Sequence, residues 1–211
     1  MSKKVVHVIG NGMMAQLYDP QAKGLKLCCN LAPFPVDDAY ASCIVDFKMM
    51  RSMTEGSIQV PGQWILGMRP KKWMESNPDY NIKVASQIKE YYTAMPKYCK
   101  SYTDFNCGHF AAYYAAEKLK ADEIHMYGFD SLFDFDLRSC TDFYLSSVRD
   151  GLNTHRLNEN WRPIWWSMWR EFPEIKWKLY HKHDNVKVEL SDNVEVVVMD
   201  PKATKKLRAQ R

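Results

Sequence analysis

The stretch Val5-Val6-His7-Val8-Ile9-Gly10-Asn11-Gly12 runs a β-branched segment straight into a Gly-Asn-Gly turn. Val5, Val6, Val8 and Ile9 suit a buried parallel strand, whose two covered faces both accept branched side chains. Gly10 and Gly12 tolerate positive φ and leave the backbone bare for a close neighbour. Asn11 accepts left-handed geometry and adds an amide. A helix starting near Met13 would aim its free N–H groups and positive dipole end over the turn, where an anion is favoured. Gly-X-Gly alone fits a nucleotide or phosphate site and an ordinary tight βα turn alike.

Outward from that opening, strands are expected at Leu25–Asn30, Cys43–Phe47 and Gln63–Met68, with Leu31-Ala32-Pro33-Phe34-Pro35 a loop. Arg69 to Tyr80 reads as an exposed connection, and apolar spacing from Val84 to Met95 predicts a helix that Pro96 ends. The Ala-rich run Phe110–Leu119 predicts a second helix, opened by Asn106-Cys107-Gly108-His109. Glu123–Tyr127 is a strand leading into Gly128-Phe129-Asp130. Leu132 to Tyr144 reads as a loop or lid, Pro163–Phe172 as a helix and Ile175–Tyr180 as a strand. Val186–Leu190 and Val194–Met199 suggest a hairpin through Ser191-Asp192-Asn193. This alternation predicts a single α/β domain over 1–200, with a mostly parallel sheet flanked by helices and a C-terminal β-hairpin. A basic tail follows at 201–211.

Composition narrows the class. At 211 residues, 46% hydrophobic and 26% charged, the chain is globular and long enough for one sizeable core. Six Cys with no CxxC pair argue against structural zinc and against a disulfide framework. The first apolar run is too short for a signal peptide, and no run approaches the ~20 residues of a membrane span, so a cytoplasmic protein is expected. The compact size suits a small phage or mobile-element protein. Lys202, Lys205, Lys206, Arg208 and Arg211, with no acid among them, form either a solvated end or an arm for nucleic acid or a protein partner.

In an open α/β sheet the ligand crevice lies at the carboxyl ends of the strands. Asn30 and Asp46 fall there and could read a ribose or sugar hydroxyl; each could equally cap a loop or helix. Asn106, Cys107, Gly108 and His109 open a helix and form a second candidate anion cradle. Gly128 and Asp130 stand at another strand end. Asp134 and Asp136 look like a metal-binding Asp-X-Asp and equally like solvated loop carboxylates. His7 and His125 are expected as satisfied core histidines. Trp161, Trp165, Trp166 and Trp169 form either a core cluster or an interface.

Gly10-Asn11-Gly12, Cys29-Asn30, Cys107-Gly108, Gly128-Phe129-Asp130 and the strand Ile175–Tyr180 occur in an order that resembles the bacterial sialyltransferases of glycosyltransferase family 42 and the wider MptE-like, DUF115 group. The resemblance spans roughly residues 4 to 181. It implies a Rossmann-like fold and metal-independent, inverting transfer of a sugar from a nucleotide-sugar donor to an acceptor hydroxyl, with no cofactor. Gly10, Asn11, Gly12, Asn30, Asn106, Cys107, Gly108, His109 and Gly128 would then hold the nucleotide, Asp130 would position, and His155 would be the general base. The motif departs from the family at Met13-Met14, where Pro-Ser is usual, and at Cys107, where Ser is usual. The alternatives are a Mg-dependent phosphotransferase of MptE-like type, using Asp134 and Asp136, and a non-enzymatic nucleotide-binding or interaction protein.

Overall fold

A computed structural model describes residues 3–134, 155 and 157–202. Its centre is one sheet of eight strands, β1 Val5–Ile9, β2 Leu25–Cys29, β3 Ala41–Ile44, β4 Trp64–Leu66, β5 Ile88–Tyr91, β6 Glu123–Tyr127, β7 Lys176–His181 and β8 Val194–Val198. Their order is β5-β4-β3-β2-β1-β6-β7-β8, and every neighbouring pair is parallel. The chain steps outward from β1 to β5, then crosses back to place β6 on the other side of β1. That reversal is the topological switch of a Rossmann-like sheet, and it falls at the ends of β1 and β6.

Helices cover both faces. Under α4 (Cys107–Tyr113) and α5 (Arg162–Glu171) lie Val6, Val8, Leu27, Cys29, Cys43, Ile65, Ile124, Met126, Trp177 and Leu179. In α5, Ile164, Trp165, Met168 and Trp169 are buried at a spacing that makes one stripe, while Trp166 is exposed. The Trp cluster is therefore mostly core. Fully enclosing rings such as Trp169 and Trp177 contributes ~2–3 kcal/mol each. The opposite face is covered in two parts. Ile44, Trp64 and Leu66 pack on Met49, Met50 and Met53 of α1 (Phe47–Thr54) and Met74 of α2 (Met68–Ser76). Ile9, Cys28 and Tyr127 pack on Met14, Leu17 and Tyr18.

Four sequence expectations change. The helix near Met13 is a single 3₁₀ turn, Met13–Leu17. Arg69–Tyr80 is not a connection: it belongs to α2 and to α3 (Pro78–Val84), which starts on Pro78. The span from Val84 to Met95 holds the edge strand β5, not a helix; Lys89 and Glu90 sit together between Ile88 and Tyr91, as a half-covered edge allows. The C-terminal hairpin is not formed. β8 runs parallel to β7, and Val186–Leu190 is irregular.

His7 and His125 are satisfied on both nitrogens. His7 meets Tyr127 Oη at 3.2 Å and Lys23 O at 3.0 Å. His125 meets Glu123 at 2.7 Å and Tyr180 Oη at 2.9 Å. Glu123 is also bound by Lys178 at 2.6 Å and by Lys3.

Candidate functional site at the carboxyl ends of the strands

Gly10-Asn11-Gly12 sits at the switch point, but the N–H groups of both glycines are already taken. Gly10 N–H donates to Tyr127 O at 2.7 Å and Gly12 N–H to Gly128 O at 2.9 Å. Met14 N–H donates to the Asp130 carboxylate at 3.2 Å. A Cβ on Gly10 would lie 2.8 Å from Gly128 O, and one on Gly12 would lie 2.6 Å from the same atom. Gly128 itself, at φ +74°, brings its own backbone against Gly10 O and Ala15. The glycines let the ends of β1 and β6 close on each other. Asp130 caps the 3₁₀ turn that follows.

The second expected cradle is also committed internally. The Asn106 side chain accepts from His109 N–H at 3.1 Å, and His109 Nδ1 accepts from Asn106 N–H at 3.3 Å, a reciprocal capping box. His109 is fully enclosed, its Nε2 meets Trp161 O at 3.0 Å, and its ring lies 4.6 Å from that of Trp165. Burial drives its pKa down to about 3, so the ring is neutral. Cys107 donates to Cys43 O, and burial holds its thiol far above the ordinary range, which removes it as a nucleophile. A Cβ on Gly108 would meet the Phe129 ring at 2.7 Å, so that glycine too serves packing.

What stays available is a row of polar groups along β1, β2 and β3. The Asn11 amide N–H donates to Cys29 O at 2.6 Å, which fixes its orientation and leaves Oδ1 enclosed with no hydrogen-bond partner. Asn30 follows β2 at φ +55°, a left-handed geometry, anchored by Asn30 N–H to Cys43 O at 2.9 Å. Its amide N–H reaches Asp46, and its Oδ1 is likewise enclosed without a hydrogen-bond partner. Asp46 stands at the N-cap of α1 but makes no capping bond. It turns instead to Asn30 and to Arg69, 3.5 Å away. Its side chain is 43% exposed, and desolvation by the surrounding protein raises its pKa while Arg69 pulls it back. The Arg69 guanidinium is seated 4.7 Å over the Phe47 ring.

Of the expected residues, the structure brings Asn11 and Asn30 together with Asp46. Gly10, Gly12, Gly128 and Asp130 form the seam beside them. Asn106, Cys107, Gly108 and His109 form the buried start of α4. His155 is on the surface, with a 64% exposed side chain paired to Glu159 at 3.0 Å. Sequence reasoning missed Arg69, whose signal was present: an apolar run through Leu66 ending in Gly67, with a basic residue two positions on. Asp136, Lys205, Lys206, Arg208 and Arg211 lie outside the described residues; Lys202 is exposed beside Asp200. Among the described residues no helix is long and apolar enough to cross a membrane. Compared with family models, curated proteins and solved structures, the chain matches none.

Proposed function

We infer that this chain binds a nucleotide or nucleotide-sugar over Asn11, Asn30 and Asp46 and transfers the sugar to an acceptor hydroxyl. The observation that carries the binding half is the pair of enclosed, unpartnered amide oxygens at the ends of adjacent strands. A buried acceptor without a donor is costly, about 1–3 kcal/mol each. Ribose hydroxyls or a base amino group would satisfy both oxygens at once, with the Asp46 carboxylate as a third acceptor. Arg69 is the cation at hand for a phosphate. The transfer half rests on the resemblance of the motif order to the family 42 sialyltransferases. In it the acceptor proton would pass to His155 as general base. Among the described residues Asp134 faces two imidazoles, and Asp136, its partner in the phosphotransferase reading, lies outside them.

The test is a thermal-shift series with CMP, UMP, UDP, GDP, ADP, ATP and CMP-sialic acid, each with Mg²⁺ and with EDTA. A ligand at a hundredfold excess over its Kd stabilises by about 2.7 kcal/mol. One nucleotide shifting the wild type equally in EDTA, and failing to shift Asn30→Gly, supports the reading. No shift by any of them removes it.

A further inference from the structure

Beyond β6, on the side of the sheet away from Asn11 and Asn30, three side chains converge that the nucleotide reading leaves unused. His181 ends β7, His183 follows two residues later, and Asp134 follows the 3₁₀ turn after β6. Their ligand-capable atoms all lie within 4.8 Å of one another. His181 Nε2 is 3.8 Å from Asp134 Oδ2, and His183 Nε2 is 3.5 Å from Asp134 Oδ1. Neither separation is a hydrogen bond. Both approach the roughly 3.3–3.5 Å that separates two ligands of a tetrahedral ion held at 2.0–2.2 Å.

The decisive atom is His181 Nε2. His181 is 1% exposed, and this nitrogen is enclosed without a hydrogen-bond partner while it points at a carboxylate. The ring cannot easily turn elsewhere, because Phe133 stacks flat on it at 3.9 Å and the His183 ring packs edge-on at 4.3 Å. Asp134 is held by its backbone. Its N–H donates to Asp130 O at 2.8 Å, and its carbonyl accepts from Arg162 at 3.1 Å. Asp134 and His183 remain partly accessible, with side chains 40% and 34% exposed, so an ion has a way in.

We propose that Asp134, His181 and His183 form a binding site for a single zinc-like transition-metal ion. Two imidazoles and one carboxylate select such an ion over Mg²⁺ or Ca²⁺, which take oxygen donors. The described residues supply three of the four ligands of a tetrahedral ion. Binding through Nε2 places each ring proton on Nδ1. There each Nδ1 gives up a long contact from a backbone N–H, His183 N–H to His181 at 3.4 Å and Asn185 N–H to His183 at 3.3 Å. Nothing in the nucleotide reading is needed for this site.

The experiment uses the full, tag-free chain, stripped with a chelator and dialysed against Zn²⁺ alone, with bound metal counted per chain. Co²⁺ serves as an optical probe of coordination. The expected result is one Zn²⁺ per chain with a tetrahedral Co²⁺ spectrum, unaffected by millimolar Mg²⁺. Asp134→Asn and His183→Ala, both at partly exposed positions, should each weaken binding at least tenfold while circular dichroism shows them folded. Failure of the wild type to bind Zn²⁺ overturns the site. So does either folded variant binding within twofold of the wild type.

Discussion

Asn30 is held in a left-handed conformation that glycine would adopt without strain, yet it is not glycine. Its amide tethers Asp46 and leaves one enclosed oxygen without a hydrogen-bond partner. We expect Asn30→Gly to leave thermal stability unchanged or to raise it by up to about 1 kcal/mol, while nucleotide affinity falls at least tenfold. Thermal melts and a ligand titration on the same sample separate the two effects; a Gly variant that still binds normally would remove Asn30 from the site. Gly12 presents the opposite case. Its missing Cβ is required by Gly128 O, 2.6 Å from where the atom would sit. Gly12→Ala should therefore cost more than about 2 kcal/mol in urea unfolding with no ligand present. The Gly-Asn-Gly motif was legible in the sequence, but its physical reason was not. The atom that excludes a side chain belongs to a residue more than a hundred positions later, and no local pattern announces it. Asn30 and Asp46 were legible because a strand's carboxyl end is a local feature.

At the scale of elements, central strands were readable because they are continuous apolar runs buried on both faces. Edges were not. β5 carries Lys89 and Glu90 between Ile88 and Tyr91, a mixture that a helical period fits as well as an edge strand. The C-terminus misled for another reason. Ser191-Asp192-Asn193 has the composition of a hairpin turn, but Asn193 is an anchor. Its amide donates toward Trp169 O, Phe172 O and Ile175 O at 3.0, 2.9 and 3.1 Å, and its own carbonyl accepts from Trp177 N–H at 2.8 Å. These bonds tie the end of α5 to the start of β8 and set β8 parallel to β7. Asn193→Asp keeps the shape but turns a carboxylate oxygen toward three carbonyls. It should destabilise by about 2–3 kcal/mol at neutral pH and more than Asn193→Ala does, as read from denaturant midpoints.

The whole molecule places several imidazoles inside, and that decides how it responds to acid. His109 has a folded-state pKa of about 3 against an unfolded value of 6.5, because burial opposes its charge. Burial likewise lowers His7 and His125. Between pH 6.5 and 3 the unfolded chain takes up a proton at His109 that the native chain refuses, so stability falls as pH drops through that window. At pH 5 this one ring should have removed about 2 kcal/mol relative to pH 7. Glu123 acts lower down. Despite the opposing effect of burial, its hydrogen bonds with Lys178, Lys3 and His125 bring its pKa from 4.5 to about 2. Its contribution is complete above pH 4.5 and is lost as pH falls toward 2. The combined expectation is a steady decline beginning near pH 6.5, with no plateau before the carboxylates titrate. His109→Gln keeps a side chain that can close the capping box on Asn106 and removes the proton. Its absolute stability will depend on how the amide packs against Trp165, so the informative quantity is the slope of unfolding free energy between pH 7 and 5. That slope should be distinctly shallower than in the wild type. An identical slope would mean that proton uptake by the imidazole at position 109 on unfolding does not drive the loss of stability in acid.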